Sequence, residues 1–127
     1  MNLPDYLNDL LPGRAFAAAP SPLPSQAYVV WEQGPSSDSQ PLYAEEGRKK
    51  AVKALTLSAY LHFPGTDGFK PADALTRQIV EAENTVTEHP GLSVISLDES
   101  STVGPIWNDV TKRWVSTVRF TLLYFKT

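Results

Sequence analysis

The sequence predicts an α+β fold, a mostly antiparallel β-sheet of about four to five strands with two helices packed on one face. Three observations carry that prediction. Residues 112–125, KRWVSTVRFTLLYF, place Trp114, Val118, Phe120, Leu122 and Tyr124 at alternate positions, interrupted only by Ser116. Residues 55–63, LTLSAYLHF, alternate in the same way, with Leu55, Leu57, Ala59, Leu61 and Phe63 on one side. Two other segments space their apolar residues by three and four. A period of two marks a strand with one buried face, and a period near 3.6 marks a helix with one buried stripe.

The last strand is the centre of the prediction. Burying each of its large apolar side chains would contribute roughly 1.5–3 kcal/mol. At about 3.3 Å per residue it would span on the order of 45 Å, well beyond an ordinary strand. That length predicts either a bulge or a strand that projects past its own sheet. A projecting strand leaves unpaired N–H and C=O groups at its ends or edge.

Taken in order, the chain opens on a short helix. Asn2 can cap it, Pro4 fits its first turn, and Leu3, Tyr6, Leu7, Leu10 and Leu11 make one stripe. Pro12-Gly13 stops it. Two turns of helix are not stable alone, so it must dock on the sheet. Residues 14–19 have room for a short strand, although their alanines argue little for one. Pro20, Pro22 and Pro24 then make a rigid connector.

Residues 27–33, AYVVWEQ, read as a strand covered on both faces. Residues 34–47, GPSSDSQPLYAEEG, read as a flexible loop, because a loop of that length in a compact domain is usually functional or disordered. Arg48, Lys49, Lys50 and Lys53 follow as a basic cluster, most simply a solvated strand end. After the 55–63 strand come Pro64-Gly65 and Asp67-Gly68, both turn signals. The second helix is expected to start with Pro71 as its first residue. Leu75, Ile79, Ala82 and Val86 would face inward, Asp73, Arg77 and Glu81 would line the surface, and His89-Pro90-Gly91 would end it. A short strand over 92–97 and a loop over 98–108, holding Gly104-Pro105 and the bulky Ile106 and Trp107, lead to the last strand. The whole chain, 1–127, reads as a single domain.

Composition narrows the function. The 127 residues are 42% hydrophobic and 20% charged, the balance of a soluble globular chain. A net charge of −3 leaves no footprint of nucleic-acid binding. Cysteine is absent, which rules out disulfides, thiolate ligands and cysteine nucleophiles and suits a reducing cytoplasm. The start has no basic region before an apolar run, so it does not read as a secretory signal, and no stretch approaches the roughly 20 apolar residues of a membrane span.

Catalytic and metal signatures are missing. His62 and His89 lie in different elements without metal-ligand spacing; His62 belongs to the polar face of its strand and His89 to a helix C-terminus. Asp98 and Glu99 are adjacent but nothing joins them into an acid–base pair. No nucleophile elbow, P-loop or dinucleotide fingerprint occurs. The expectation is a protein without enzymatic activity, cofactor or metal. A small-molecule binding module or an unrecognised enzyme would instead require a deep apolar pocket with converging polar groups.

The order of elements resembles the tail terminator (tail completion) proteins of long-tailed bacteriophages over most of the chain. The likeness is best in the second half. There Phe63-Pro64 and a short turn lead to the helix at Pro71, and the last strand has the form Trp-x-Ser-x-x-x-Phe-Thr-x-x-Tyr, here Trp114, Ser116, Phe120, Thr121 and Tyr124. The first helix followed by Tyr-Val-Val is also similar, with Ala27 where the family has proline. The resemblance implies a virion protein at the head-proximal end of the tail, assembled in the host cytoplasm. As a homo-oligomer, a hexameric ring, it would cap the tail tube, end its polymerisation and present a surface to the head-side neck or connector protein. DNA would pass through the ring without sequence-specific binding, and no membrane would be involved. A neck connector or stopper differs by partner rather than by chemistry. On this reading the 34–47 loop faces the tube or the ring interior. The candidate interface residues are Glu45, Glu46, Arg48, Lys49, Lys50, Asp98, Glu99, Arg113 and Arg119, with cations on one subunit meeting acids on the next.

Overall fold

The last strand, β7 (Arg113–Phe125), folds as its alternation requires. Ser116, Val118, Phe120, Leu122 and Tyr124 are buried and Arg119 is exposed. A computed structural model describes residues 1–38, 42–43, 49–50, 52–65 and 68–125. Around β7 stand α1 (Leu3–Leu10), β1 (Ala15–Phe16), β2 (Tyr28–Asp38), β5 (Val52–Pro64), α2 (Phe69–Val80) and β6 (Ser93–Asn108). A two-stranded ribbon, β3 (Leu42–Tyr43) with β4 (Lys49–Lys50), lies in sequence between β2 and β5. The main sheet has the order β1-β2-β5-β7-β6. Its pairs are antiparallel, apart from the short parallel pair of β1 with β2.

Both helices cover one face. Leu3, Leu7 and Leu11 from the first helical segment and Ile79, Ala82 and Val86 from the second join Val29, Leu55, Leu57, Leu61, Val118, Phe120 and Leu122 in one buried cluster. α1 starts where Asn2 Oδ1 accepts the Asp5 N–H at 2.9 Å, so the cap satisfies a donor the helix cannot. Gly13, at φ 74°, closes the end with its N–H on Asn8 Oδ1 at 3.0 Å.

The second helix differs from its sequence reading at both ends. It begins at Phe69 behind Gly68, so Pro71 is its third residue rather than its first. It stops at Val80 and tightens into a 3₁₀ turn, Glu81–Asn84. There Asn84 Nδ2 donates to Glu81 Oε2 at 2.9 Å, while Arg77 pairs with Asp73 at 3.1 Å. Val86 is buried beyond the turn, so the inward stripe continues without a helix to carry it.

Three strands are longer than expected. β7 does not overhang its sheet: β5 pairs with it from Val52↔Phe125 to Pro64↔Arg113, and β6 lies along its other side. β7 is therefore an interior strand without an edge. The 98–108 segment, expected as a loop, is strand, because the Gly104-Pro105 break is absorbed as a register shift between Val103 and Ile106. A bulge leaves its extra residues out of the ladder, so proline costs no ladder bond there. Similarly, β2 runs on through Gly34 and Pro35 to Asp38, with a register shift between Gln33 and Ser36. The expected flexible loop thus begins as strand, and its residues 39–41 and 44–47 lie outside the described residues.

Candidate assembly surface

With both helices on one side, the other side of the sheet, its bare face, carries no helix among the described residues, although Tyr28, Val52 and Ser58 on it are buried. Residues directly paired across a sheet point to the same face. The register therefore sets out the bare face in rows: Tyr28, His62, Val115 and Ile106; then Phe16, Val30, Tyr60, Thr117 and Val103; then Glu32, Ser58, Arg119 and Ser101.

The first row ends in a packed stack. The His62 ring lies on Tyr28 at 4.6 Å and 10°, Phe16 meets Tyr28 edge-on at 6.3 Å, and the Arg113 guanidinium sits 5.2 Å above the Tyr28 ring. Arg113 also donates to the carbonyl oxygens of Pro24 and Gln26, tying the proline connector to β7. Burial, and secondarily the Arg113 charge, push the His62 pKa below its ordinary value. His89 is not at a helix C-terminus as expected, because α2 ends earlier. It meets Gln33 Oε1 at 3.1 Å, and burial lowers its pKa as well.

The sheet's outer edges are poorly suited to strand addition. β6 shifts register three times, at Val94/Ser96, Glu99/Ser101 and Val103/Ile106, and carries Pro105. Glu83 Oε2 accepts the Glu99 N–H at 2.9 Å, removing one donor from that strand. On the far side β1 pairs with β2 only at Val29 and Val30, beyond which Pro35 and the Gln33/Ser36 shift disturb the ladder. Bulges and prolines of this kind blunt edges against further pairing. Among the described residues, side-chain surfaces are therefore better suited than these edges to contacts with other chains.

One such surface stands out at the β6–β7 turn. Val110 is 93% exposed, Ile106 57%, Val103 55% and Trp107 40%. Val103, Ile106 and Trp107 lie on β6 leading into the turn, and the turn that carries Val110 is held from several directions. Asn108 Oδ1 accepts the N–H groups of Val110 and Thr111 at 3.0 and 3.1 Å, and Lys112 pairs with Asp109 at 2.6 Å. The Gly65 N–H donates to Lys112 O at 3.1 Å. Behind it Trp107 packs edge-on against Trp114 at 5.3 Å, and Trp114 against Phe69 at 5.6 Å. A Cβ on Gly65 would lie 2.4 Å from the Trp107 ring, so only glycine lets the indole sit there. Between this turn and the bare face lies an open cleft of about 440 Å³ lined by Val103, Ile106, Trp107, Asp109, Val115 and Thr117. A rigid turn with apolar side chains held in water is suited to docking, since little ordering entropy remains to be lost.

The residues singled out from sequence are scattered. Glu45, Glu46 and Arg48 lie outside the described residues, and Lys49 and Lys50 form β4. Asp98 (opposite Thr121) and Arg119 (opposite Ser101) share the bare face on neighbouring strands, while Glu99 lies opposite Phe120. Arg113 is at the other end of β7 and is engaged within its own chain. The bulk of Ile106 and Trp107 was legible in the sequence, but Val103 and Val110 carry no signal of their own. Among the described residues no group of three or more His, Asp or Glu is placed to hold a metal, and no helix is long and apolar enough to cross a membrane.

Neither a protein-family model nor a curated protein matches this sequence. Among solved structures, the chain is similar to one in the virion of a native gene transfer agent particle, with a TM-score of 0.59 and 16% identity. The match covers 94% of this chain and 84% of that one, so the two share a fold over nearly all of this chain.

Proposed function

We propose that this chain is a structural virion protein without catalytic activity. Its role is to form a ring, a hexamer, at the head-proximal end of a phage-type tail, where it ends tube polymerisation and receives the head-side connector. The observation that carries the reading is the fold shared over 94% of the chain with a component of a virion particle. The β6–β7 turn supports it, because a rigid apolar tip on a chain with blunted sheet edges suits side-chain docking to other subunits. The net charge of −3 is compatible with DNA sliding past rather than sticking.

The test is electron microscopy of purified protein added to polymerising tail tubes. Rings seated at one tube end support the reading. Binding to the isolated head-side connector and not to tubes would make the protein a neck component instead, and binding to neither would remove the tail assignment.

A further inference from the structure

The bare sheet face is complementary to itself. We propose that it packs against the same face of a second copy, about a twofold axis running along β5. This goes beyond the ring reading and does not depend on it. Ser58 pairs with Glu32 on one side and with Arg119 on the other, so the two charges stand at one level, one strand to each side of the axis. Both are exposed. Glu32 accepts the Tyr60 hydroxyl at 2.5 Å, and among the described residues neither charge forms an ion pair. A twofold axis along β5 exchanges β2 with β7. Each Glu32 then faces the Arg119 of the second copy, and the contact occurs twice.

The neighbouring row obeys the same operation. Phe16, Val30, Tyr60, Thr117 and Val103 follow one another across β1, β2, β5, β7 and β6. The axis sets Val103, 55% exposed, over Phe16 of the second copy and Val30 over Thr117. Apolar therefore meets apolar at Val103 and Phe16, where charge meets opposite charge one row away. Along the axis itself, Ala54, Thr56 and Ser58 are small, while the larger Tyr60 and His62 lean onto β2, against Glu32 and Tyr28. Two sheets can therefore approach to the roughly 10 Å of face-to-face packing. Glutamate and arginine side chains can bridge such a gap.

The area is also adequate. Four strands spaced about 4.8 Å apart, each with about 12 residues at about 3.3 Å, present roughly 750 Å² per copy, close to the roughly 800 Å² per partner of a standard interface.

Sedimentation equilibrium of the full chain tests this, with circular dichroism to confirm that each variant folds. Wild type should form a dimer at micromolar concentration. Glu32→Arg and Arg119→Glu should each weaken it by about tenfold or more, because like charges then face each other twice. The double reversal should restore the dimer. A wild-type monomer across that range, single reversals without effect, or a double variant that fails to recover would each overturn the proposal. A ring that survives all three variants would overturn it while leaving the tube-capping reading standing.

Discussion

Thr76 on α2 and Ser116 on β7 share a 2.7 Å hydrogen bond in the buried core. Thr76 also donates to the Ala72 carbonyl at 2.8 Å, which uses its one hydroxyl proton, so Ser116 is the donor to Thr76 Oγ1. The result is a short relay, Ser116 to Thr76 to Ala72, that fixes the register of the helix over the sheet. Both side chains are almost fully enclosed, at 1% and 2% exposure, so neither can turn to water.

Removing the middle of the relay should therefore hurt more than removing its end. Thr76→Val strands the Ser116 hydroxyl and should destabilise the fold by about 1–3 kcal/mol. Ser116→Ala leaves Thr76 its bond to Ala72 and should lose only about 0.5–1.5 kcal/mol. Urea denaturation of the two variants against wild type gives the comparison, and equal losses would mean that the relay is not the organising contact.

Gly65→Ala should dislodge Trp107, whose ring would lie 2.4 Å from the new methyl. Such overpacking typically destabilises by about 1–3 kcal/mol. Tryptophan fluorescence should shift with it, since Trp107 leaves its contact with Trp114. An unchanged emission spectrum would contradict the close packing at this end of the sheet.

Acid should loosen the His62 stack. Burial and Arg113 lower the His62 pKa, and burial lowers that of His89, so the unfolded chain binds more protons near the ordinary value of about 6.5. Stability is therefore full above that pH and falls as pH drops below it toward the lowered folded values. Melting temperature measured from pH 7.5 to 5 should decline, and His62→Asn should flatten part of the slope. A His62→Asn profile parallel to wild type would assign the decline elsewhere.

How much of this was legible depended on whether local pattern and tertiary pairing agreed. α1 was readable because Asn2, Pro4 and the leucine stripe all point one way. β5 and β7 were readable because their apolar alternation runs along the helix-covered face, interrupted only at Ser116. β6 was not, since three register shifts break its period and Gly104-Pro105 looks like a loop when the β7 ladder beside it is invisible. β2 hid its extension behind Gly34 and Pro35 for the same reason. The candidate assembly surface followed this failure. A residue such as Val110 acquires meaning only once Asn108, Asp109 and Lys112 are seen to hold it rigidly in water.

The central claim is that the β6–β7 tip serves assembly rather than folding, and Val110→Asp separates the two. At 93% exposure the side chain contributes almost nothing to the core, so melting temperature should stay within about a degree or two of wild type. The decisive measurement is the length distribution of tail tubes polymerised with each protein, seen by electron microscopy. Wild type should give tubes of bounded length with a ring at one end, and Val110→Asp should give uncapped tubes that continue to grow. Capping by Val110→Asp at wild-type concentrations would contradict the account.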